Sequence, residues 1–190
     1  MAELHRRRLA LVGGLASVLL GVVLWGGDVV PAVADTFPGN YDGRVADSYL
    51  HTYCFLSTFS GYEAVGHYAM RNALDNTTQM TDVFQSCTNN TDVWFQRANL
   101  SPGVRGSRVC SVPTSSTVCN RSTITLDFAE IDRGSNDWHD RRKTSVHEVG
   151  HSVGLDHDTV SAMISGEVPS TALVWRRYSN HDIAHINNQY

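Results

Sequence analysis

His147-Glu148-Val149-Gly150-His151-Ser152-Val153-Gly154-Leu155-Asp156-His157 is the stretch from which the fold and chemistry of this chain follow. On a helix, His147 and His151 lie one turn apart, so both imidazoles leave the same face. Gly154 predicts a left-handed exit from that helix, since glycine adopts positive φ without a Cβ clash. Such a turn can bring His157 back to the first two histidines. Three histidines around one zinc ion leave the fourth position open, as in catalytic zinc sites. The sequence therefore predicts zinc bound by these three residues.

The glutamate beside the first histidine indicates what such a centre would do. Glu148 is placed to reach a water molecule without itself ligating the metal. A carboxylate in that position is a candidate general base, because it can take a proton from the attacking water and pass it to the leaving group. We therefore predict that Glu148 is the catalytic residue of a zinc-dependent hydrolase.

The motif resembles the long zinc signature of the metzincin metalloproteases, and residues 150–157 are most similar to the matrixins. Met163 is similar to the methionine of the metzincin Met-turn, which underlies the metal. The resemblance implies a secreted zinc endopeptidase that binds a protein or peptide substrate in extended form. In small secreted proteases of the snapalysin type, a near alternative, an aspartate is the third ligand, here Asp156 or Asp158.

The resemblance also implies a fold of the α/β (α+β) type. It consists of a twisted, mixed but mostly parallel sheet, an active-site helix, and a small carboxy-terminal part ending in a helix. The tail supports this expectation, because Ser179 with Asp182 three residues later predicts a capped final helix. A second prediction of the same kind places the start of an earlier helix at Ser60, with Glu63 completing its capping box.

Two other functions stay open at this point. One is a zinc hydrolase that acts on a non-protein substrate, and the other is a secreted, zinc-stabilised binding protein without turnover. Glu148 argues against the second, since a structural zinc site has no use for a base. The chain has 190 residues, a net charge of −4 and 18% charged residues, which predicts one compact domain and excludes an obvious nucleic-acid surface. We expect a monomer.

The amino terminus has the pattern of an export signal. A basic segment at residues 5–8 precedes an apolar run over 9–25, and Ala32-Val33-Ala34 offers a cleavage site. This predicts a signal peptide at residues 1–34, a catalytic domain at 35–190, an extracellular location and no membrane attachment after cleavage. An uncleaved membrane anchor is the alternative.

The four cysteines predict two disulfides in an exported chain. Cys110 and Cys119 flank a stretch that resembles a hairpin loop, so we pair them with each other and Cys54 with Cys87. The alternative is a cysteine that plugs the zinc, as the prosegment cysteine does in many matrixins.

The segment before the zinc helix carries two further expectations. Ser122–Phe128 alternates apolar and polar residues, which predicts a half-buried strand. We expect it to be the strand with a free edge beside the cleft, the alternative being an internal strand. An acidic cluster follows, which indicates either a calcium site, because matrixins carry structural calcium, or a solvated loop. Its members are Asp127, Glu130, Asp132, Asp137 and Asp140.

Three groups of residues outside the motif carry further expectations. Trp138 and His139 are expected near the cleft entrance, and residues 168–175 are expected to wall the specificity pocket. His181 and His185 repeat the four-residue spacing of the zinc pair. They have no glutamate neighbour and no third histidine, so we interpret them as surface residues.

Overall fold

The computed structural model of the chain describes residues 37–39 and 41–190. The predicted signal peptide lies outside these residues, as does the alternative of a membrane anchor. The chain divides after Val33, and the unit that begins at Ala34 contains everything described below. Within the described part of the chain, no helix has both the length and the apolar character needed to cross a membrane.

The core of the domain is a mixed sheet of six strands. The strands are β1 (Val45–Ala46), β2 (Leu50–Phe55), β3 (Thr81–Phe84), β4 (Val93–Arg97), β5 (Gly106–Pro113) and β6 (Val118–Leu126). Their order is β1-β6-β4-β2-β3, with β5 added against β6. Every pairing is parallel except that of β5 with β6, which is antiparallel. The predicted α/β class with a mostly parallel sheet is therefore confirmed.

The alternating strand is internal, so the expectation of a free edge there was wrong. Residues 122–126 of β6 pair with β4 on one side and with β5 on the other. The strand also ends at Leu126, because Asp127 accepts a hydrogen bond from the backbone N–H of Glu130 and caps a short helix, α2 (Phe128–Ile131). Alternation reports that a strand has two different faces, and it carries no information on which edges are paired.

Two long helical segments pack on the sheet. The first begins as α1 (Glu63–His67) and continues as a π-helix over Tyr68–Asp75. Its N-cap is Tyr62, so the capping box predicted at Ser60 does not form; instead, the Glu63 carboxylate accepts a hydrogen bond from the backbone N–H of Gly61. The second is α3 (Asp137–Ser152), which carries the zinc motif, and 11 of its 16 residues are buried.

The carboxy-terminal part ends in α4 (Asn180–Gln189), as predicted. Ser179 accepts a hydrogen bond from the backbone N–H of Asp182, and the Asp182 side chain accepts one from the Ser179 N–H. Ile186 is fully buried in the core, while the Tyr190 hydroxyl bonds to the Val153 carbonyl just beyond α3. The last helix therefore supports the end of the helix that carries the site.

Both disulfides have the predicted partners, Cys54–Cys87 and Cys110–Cys119. The second closes the hairpin of β5 and β6. No cysteine is free among the described residues, so none is available to plug a metal centre.

Candidate metal centre

The end of α3 has the turn that Gly154 predicts. Its φ is +100°, and the backbone N–H groups of Gly154 and Leu155 return to the carbonyls of His151 and Gly150. These two hydrogen bonds form a Schellman motif, which stops a helix and reverses the chain direction. A Cβ at Gly154 would also lie 3.0 Å from Val45 and 3.1 Å from Phe37. The turn therefore depends on glycine both for its dihedral and for its space.

The reversal brings the three predicted histidines together. The Nε2 atom of His147 lies 3.1 Å from that of His151 and 3.2 Å from that of His157. His147 and His151 are buried, while His157 is exposed on the exit turn. Within the described residues, these three form the one group of three or more histidine, cysteine or acidic side chains that could share a metal ion.

The hydrogen bonds behind two of the imidazoles fix their tautomers. Nδ1 of His147 lies 3.0 Å from the Ala162 carbonyl, and Nδ1 of His151 lies 2.8 Å from the Leu155 carbonyl. A carbonyl only accepts, so each Nδ1 carries the proton and each Nε2 presents its lone pair inward. Two lone pairs about 3 Å apart repel each other unless a cation lies between them. The arrangement needs either a shared proton or a metal ion.

Burial disfavours the shared proton. It lowers the pKa of His151 to about 4 and holds the pKa of His147 well below its usual value, with the Lys143 ammonium as a further cause at His147. Ligands 2.0–2.1 Å from a tetrahedral zinc ion are about 3.3 Å from each other. The observed Nε2 separations are close to that distance, so the donor set and its spacing fit zinc.

Met163 lies under the helix turn that carries two of these ligands, as predicted. It is fully buried, and a Cβ added at Gly150 would lie 2.4 Å from its sulfur. The adjacent carbonyl of Ala162 orients His147. Because Gly150 has no side chain, it leaves the space that the methionine occupies. The turn of residues 161–164 positions the ligand His147 through its backbone.

Glu148 points into the same cleft. It is 4% exposed, and its Oε2 has no hydrogen-bond partner among the described residues. Burial raises the pKa of Glu148 to about 8, although the Lys143 ammonium and the backbone N–H of Arg108 both act to lower it. A cation held by the histidines would favour the charged carboxylate. An oxygen atom without a partner beside three converging imidazoles is suited to hold and transfer a proton.

The cleft has a volume of about 390 Å³ and lies between α3 and β5. Gly106 of β5 passes so close to α3 that a Cβ would lie 2.6 Å from Glu148 Oε1 and 2.8 Å from Thr144. Lys143, which is buried, donates hydrogen bonds to the carbonyls of Ile164 and Gly166 and so holds the loop at one end of the cleft. Burial lowers the pKa of Lys143 to about 8.

Several of these residues could not be identified from sequence as part of the site. Tyr41 lines the cleft, and its hydroxyl donates a hydrogen bond to the Arg108 carbonyl. His51 is buried behind the site, where its Nε2 contacts Ser152 Oγ at 3.0 Å. Gly106 offers a signal that could have been used, because a glycine in a strand often marks the close approach of another segment.

Other residues for which the sequence predicts a role are not part of the cleft lining. Trp138, His139 and residues 168–175 are not among the residues that line it. His139 instead contacts Arg176, and the Arg142 guanidinium lies 3.4 Å above the Trp138 ring. Most of the acidic cluster also has protein partners. Arg141 binds Asp132 through two hydrogen bonds, while Asp140 accepts one from the backbone N–H of Val168.

No protein-family model and no curated protein sequence matches the chain. Among solved structures, it is similar to high choriolytic enzyme 1, a hatching-enzyme zinc protease from the medaka fish Oryzias latipes. That alignment has a TM-score of 0.43 and 17% identity, and it covers 74% of this chain and 88% of the other. Myroilysin gives a TM-score of 0.38 and 15% identity, with 70% of each chain covered. Scores this low establish no common family, so the function must follow from the site itself.

Proposed function

We propose that this protein is a zinc-dependent endopeptidase of the metzincin type, exported from the cell. The observation that carries the proposal is the convergence of three histidine Nε2 atoms beside the buried carboxylate of Glu148, whose Oε2 has no partner among the described residues. His147, His151 and His157 would hold the metal. The two disulfides agree with export, because such bonds persist in oxidising compartments.

The chain's own residues supply the proton transfers. A bound zinc ion would polarise a scissile carbonyl and lower the pKa of a coordinated water to about 7. Glu148 accepts a proton from the attacking water at its carboxylate and then donates it to the departing amine. Its low exposure keeps bulk water from competing for that proton. The carbonyls of Ala162 and Leu155 keep the His147 and His151 rings oriented while charge develops on the substrate.

The edge of β5 favours a peptide over a non-protein substrate. β5 pairs with β6 alone among the described strands, and its other edge borders the cleft. The Arg108 carbonyl on this edge already accepts the Tyr41 hydroxyl, so a bound peptide would pair with other backbone groups of β5. An extended peptide could add to this edge through backbone hydrogen bonds. In this proposal β5 takes the role that the sequence suggested for residues 122–128.

The substitution Glu148→Gln tests the proposal most directly. Glutamine keeps nearly the same shape but cannot accept a proton, so zinc content and folding should persist. Cleavage of a denatured protein should fall by roughly 10²–10⁴-fold. The measurement is the initial cleavage rate together with metal analysis of both proteins. Val83→Ala, at an exposed position on β3 and outside the lining of the cleft, is the control for mutation.

Metal removal gives the complementary test. A chelator should abolish cleavage, and zinc should restore it, whereas calcium alone should not. If Glu148→Gln cleaves at the unaltered rate with zinc bound, Glu148 is not the base. If the unaltered protein holds zinc and cleaves no peptide, the protein is a binding module or acts on another substrate class.

A further inference from the structure

We propose that His181 and His185 form a second metal site, on the surface of α4, that binds a divalent transition-metal ion through two imidazoles. The Nε2 atoms of the two side chains are 3.2 Å apart. Their ring centroids are 4.4 Å apart, and the ring planes are nearly perpendicular, at 84°. His181 is exposed and His185 is half-buried, so an ion from solvent can reach the pair. This inference does not depend on the proposed peptidase function.

The geometry of this pair matches that of the two helical ligands in the cleft. His147 and His151 have the same four-residue spacing, with Nε2 atoms 3.1 Å apart, centroids 4.6 Å apart and an interplanar angle of 88°. Two imidazoles bound to one ion at 2.0–2.1 Å are about 2.9–3.4 Å apart, depending on whether the angle at the metal is square or tetrahedral. The pair on α4 is therefore already at ligand spacing and needs little movement to bind.

Two features hold the pair in this arrangement. The capping box of Ser179 and Asp182 fixes the first turn of α4, which carries His181. The ring of Phe37 stacks on His185 with centroids 5.1 Å apart and planes at 10°. A side chain fixed before binding loses less conformational entropy when the metal arrives. The two imidazoles are therefore partly held in their ligand geometry before a metal binds.

The two imidazole ligands determine which class of ion the site binds and how strongly. Imidazole nitrogens suit zinc, copper and nickel, whereas calcium and magnesium prefer oxygen ligands. Two protein ligands leave the remaining positions to water, and the dipole at the start of α4 opposes a cation. The second site should therefore bind more weakly than the three-histidine centre. Without a neighbouring glutamate it has no base, which excludes water activation there but not metal binding.

The second ion would stabilise a particular part of the fold. Only the folded helix holds both imidazoles at ligand spacing, so binding favours folded α4 over the unfolded chain. At the far end of this helix, the Tyr190 hydroxyl bonds to the Ala46 N–H and to the Val153 carbonyl. α4 is thereby linked both to β1 and to the turn that carries the third ligand of the first centre.

Metal stoichiometry tests the proposal on the full chain after export. The purified protein is dialysed to equilibrium against a series of zinc concentrations, and bound zinc is measured at each. We expect one tight equivalent and a second, weaker one. His185→Ala and His181→Ala should each lose the weaker equivalent and keep the tight one, whereas His157→Ala should lose the tight one. Asn188→Ala, at an exposed position on the same helix, is the matched control and should keep both.

A copper titration followed by electron paramagnetic resonance identifies the ligands, since bound imidazole nitrogens split the signal. The proposal is overturned if the unaltered protein never takes up a second equivalent, because the two rings then share only a hydrogen bond. It is equally overturned if the weaker equivalent survives in the double variant His181→Ala/His185→Ala. Circular dichroism of each variant confirms that α4 is intact, so a lost equivalent reports lost ligands.

Discussion

The phenol ring of Tyr41 lies flat against the imidazole of His151, with ring centroids 3.9 Å apart and planes at 7°. The same ring meets His157 edge-on at 6.2 Å. A residue from the segment before β1 therefore packs on two of the three ligands, while its hydroxyl bonds to the Arg108 carbonyl. The stack restricts the rotation of His151 and leaves its Nε2 directed at the other two histidines.

This contact predicts that Tyr41→Ala weakens metal binding and Tyr41→Phe does not. A ring stack contributes about 0.5–1.5 kcal/mol, so its loss should raise the zinc dissociation constant by up to about tenfold. Phenylalanine keeps the stack and loses only the hydroxyl. Competition with a chromogenic chelator measures the difference. Equal zinc affinity in the alanine variant and the unaltered protein would show that the stack does not hold the ligand in place.

Gly106→Ala should disturb the proposed base, Glu148, without disturbing the three metal ligands. The added methyl would lie 2.6 Å from Glu148 Oε1, so the carboxylate has to move while the three histidines stay in place. A displacement of this size can cost about 10²-fold in rate. We expect kcat to fall with zinc content unchanged, measured against the control variant Val83→Ala on β3. A variant with full activity would show that the carboxylate tolerates the shift.

The pair of Gly150 and Met163 predicts a specific non-additivity. Gly150→Ala places a methyl 2.4 Å from the methionine sulfur, and overpacking of this kind costs about 1–3 kcal/mol. Met163→Ala removes a fully buried side chain and should cost about 2–5 kcal/mol. The double variant should lose less than the sum, because each change relieves the other. Denaturant unfolding of all four proteins measures the coupling, and simple additivity would contradict the packing described.

His51 predicts a contribution to acid sensitivity. Burial and the nearby Arg108 lower its pKa from 6.5 to about 3. As pH falls below 6.5, the unfolded chain takes up a proton that the folded protein does not, so the free energy of unfolding decreases by up to about 1.4 kcal/mol per pH unit.

His51→Gln removes this proton and should flatten the pH dependence of stability by that amount, while its amide can still bond to Ser152. The measurement is denaturant unfolding of both proteins at about pH 7 and at about pH 5. At the lower pH, the unfolded chain binds a proton at position 51 only when that residue is histidine. Equal slopes in the two proteins would mean that His51 is charged in the folded state. The two proteins differ only at position 51, so the difference between their slopes isolates His51.

The sequence by itself determined the features that depend on local spacing. The interval of four residues puts His147 and His151 on one helical face, and Gly154 permits the turn that returns His157. The capped last helix and the Cys110–Cys119 pairing were predicted correctly on similar grounds, and Cys54–Cys87 followed as the remaining pair. The mostly parallel sheet was instead expected from the family resemblance. The helix cap and the Cys110–Cys119 loop both depend on residues that are close together in the chain.

The tertiary structure alone decided which distant segments meet at the site. Strand pairing is set by backbone hydrogen bonds that leave no trace in side-chain alternation, so β5, and not residues 122–128, borders the cleft. Tyr41 reaches His151 across 110 positions of sequence. The spacing of His181 and His185 was visible in the sequence, but the 3.2 Å between their Nε2 atoms depends on rotamers fixed by packing against Phe37 and by the cap of α4.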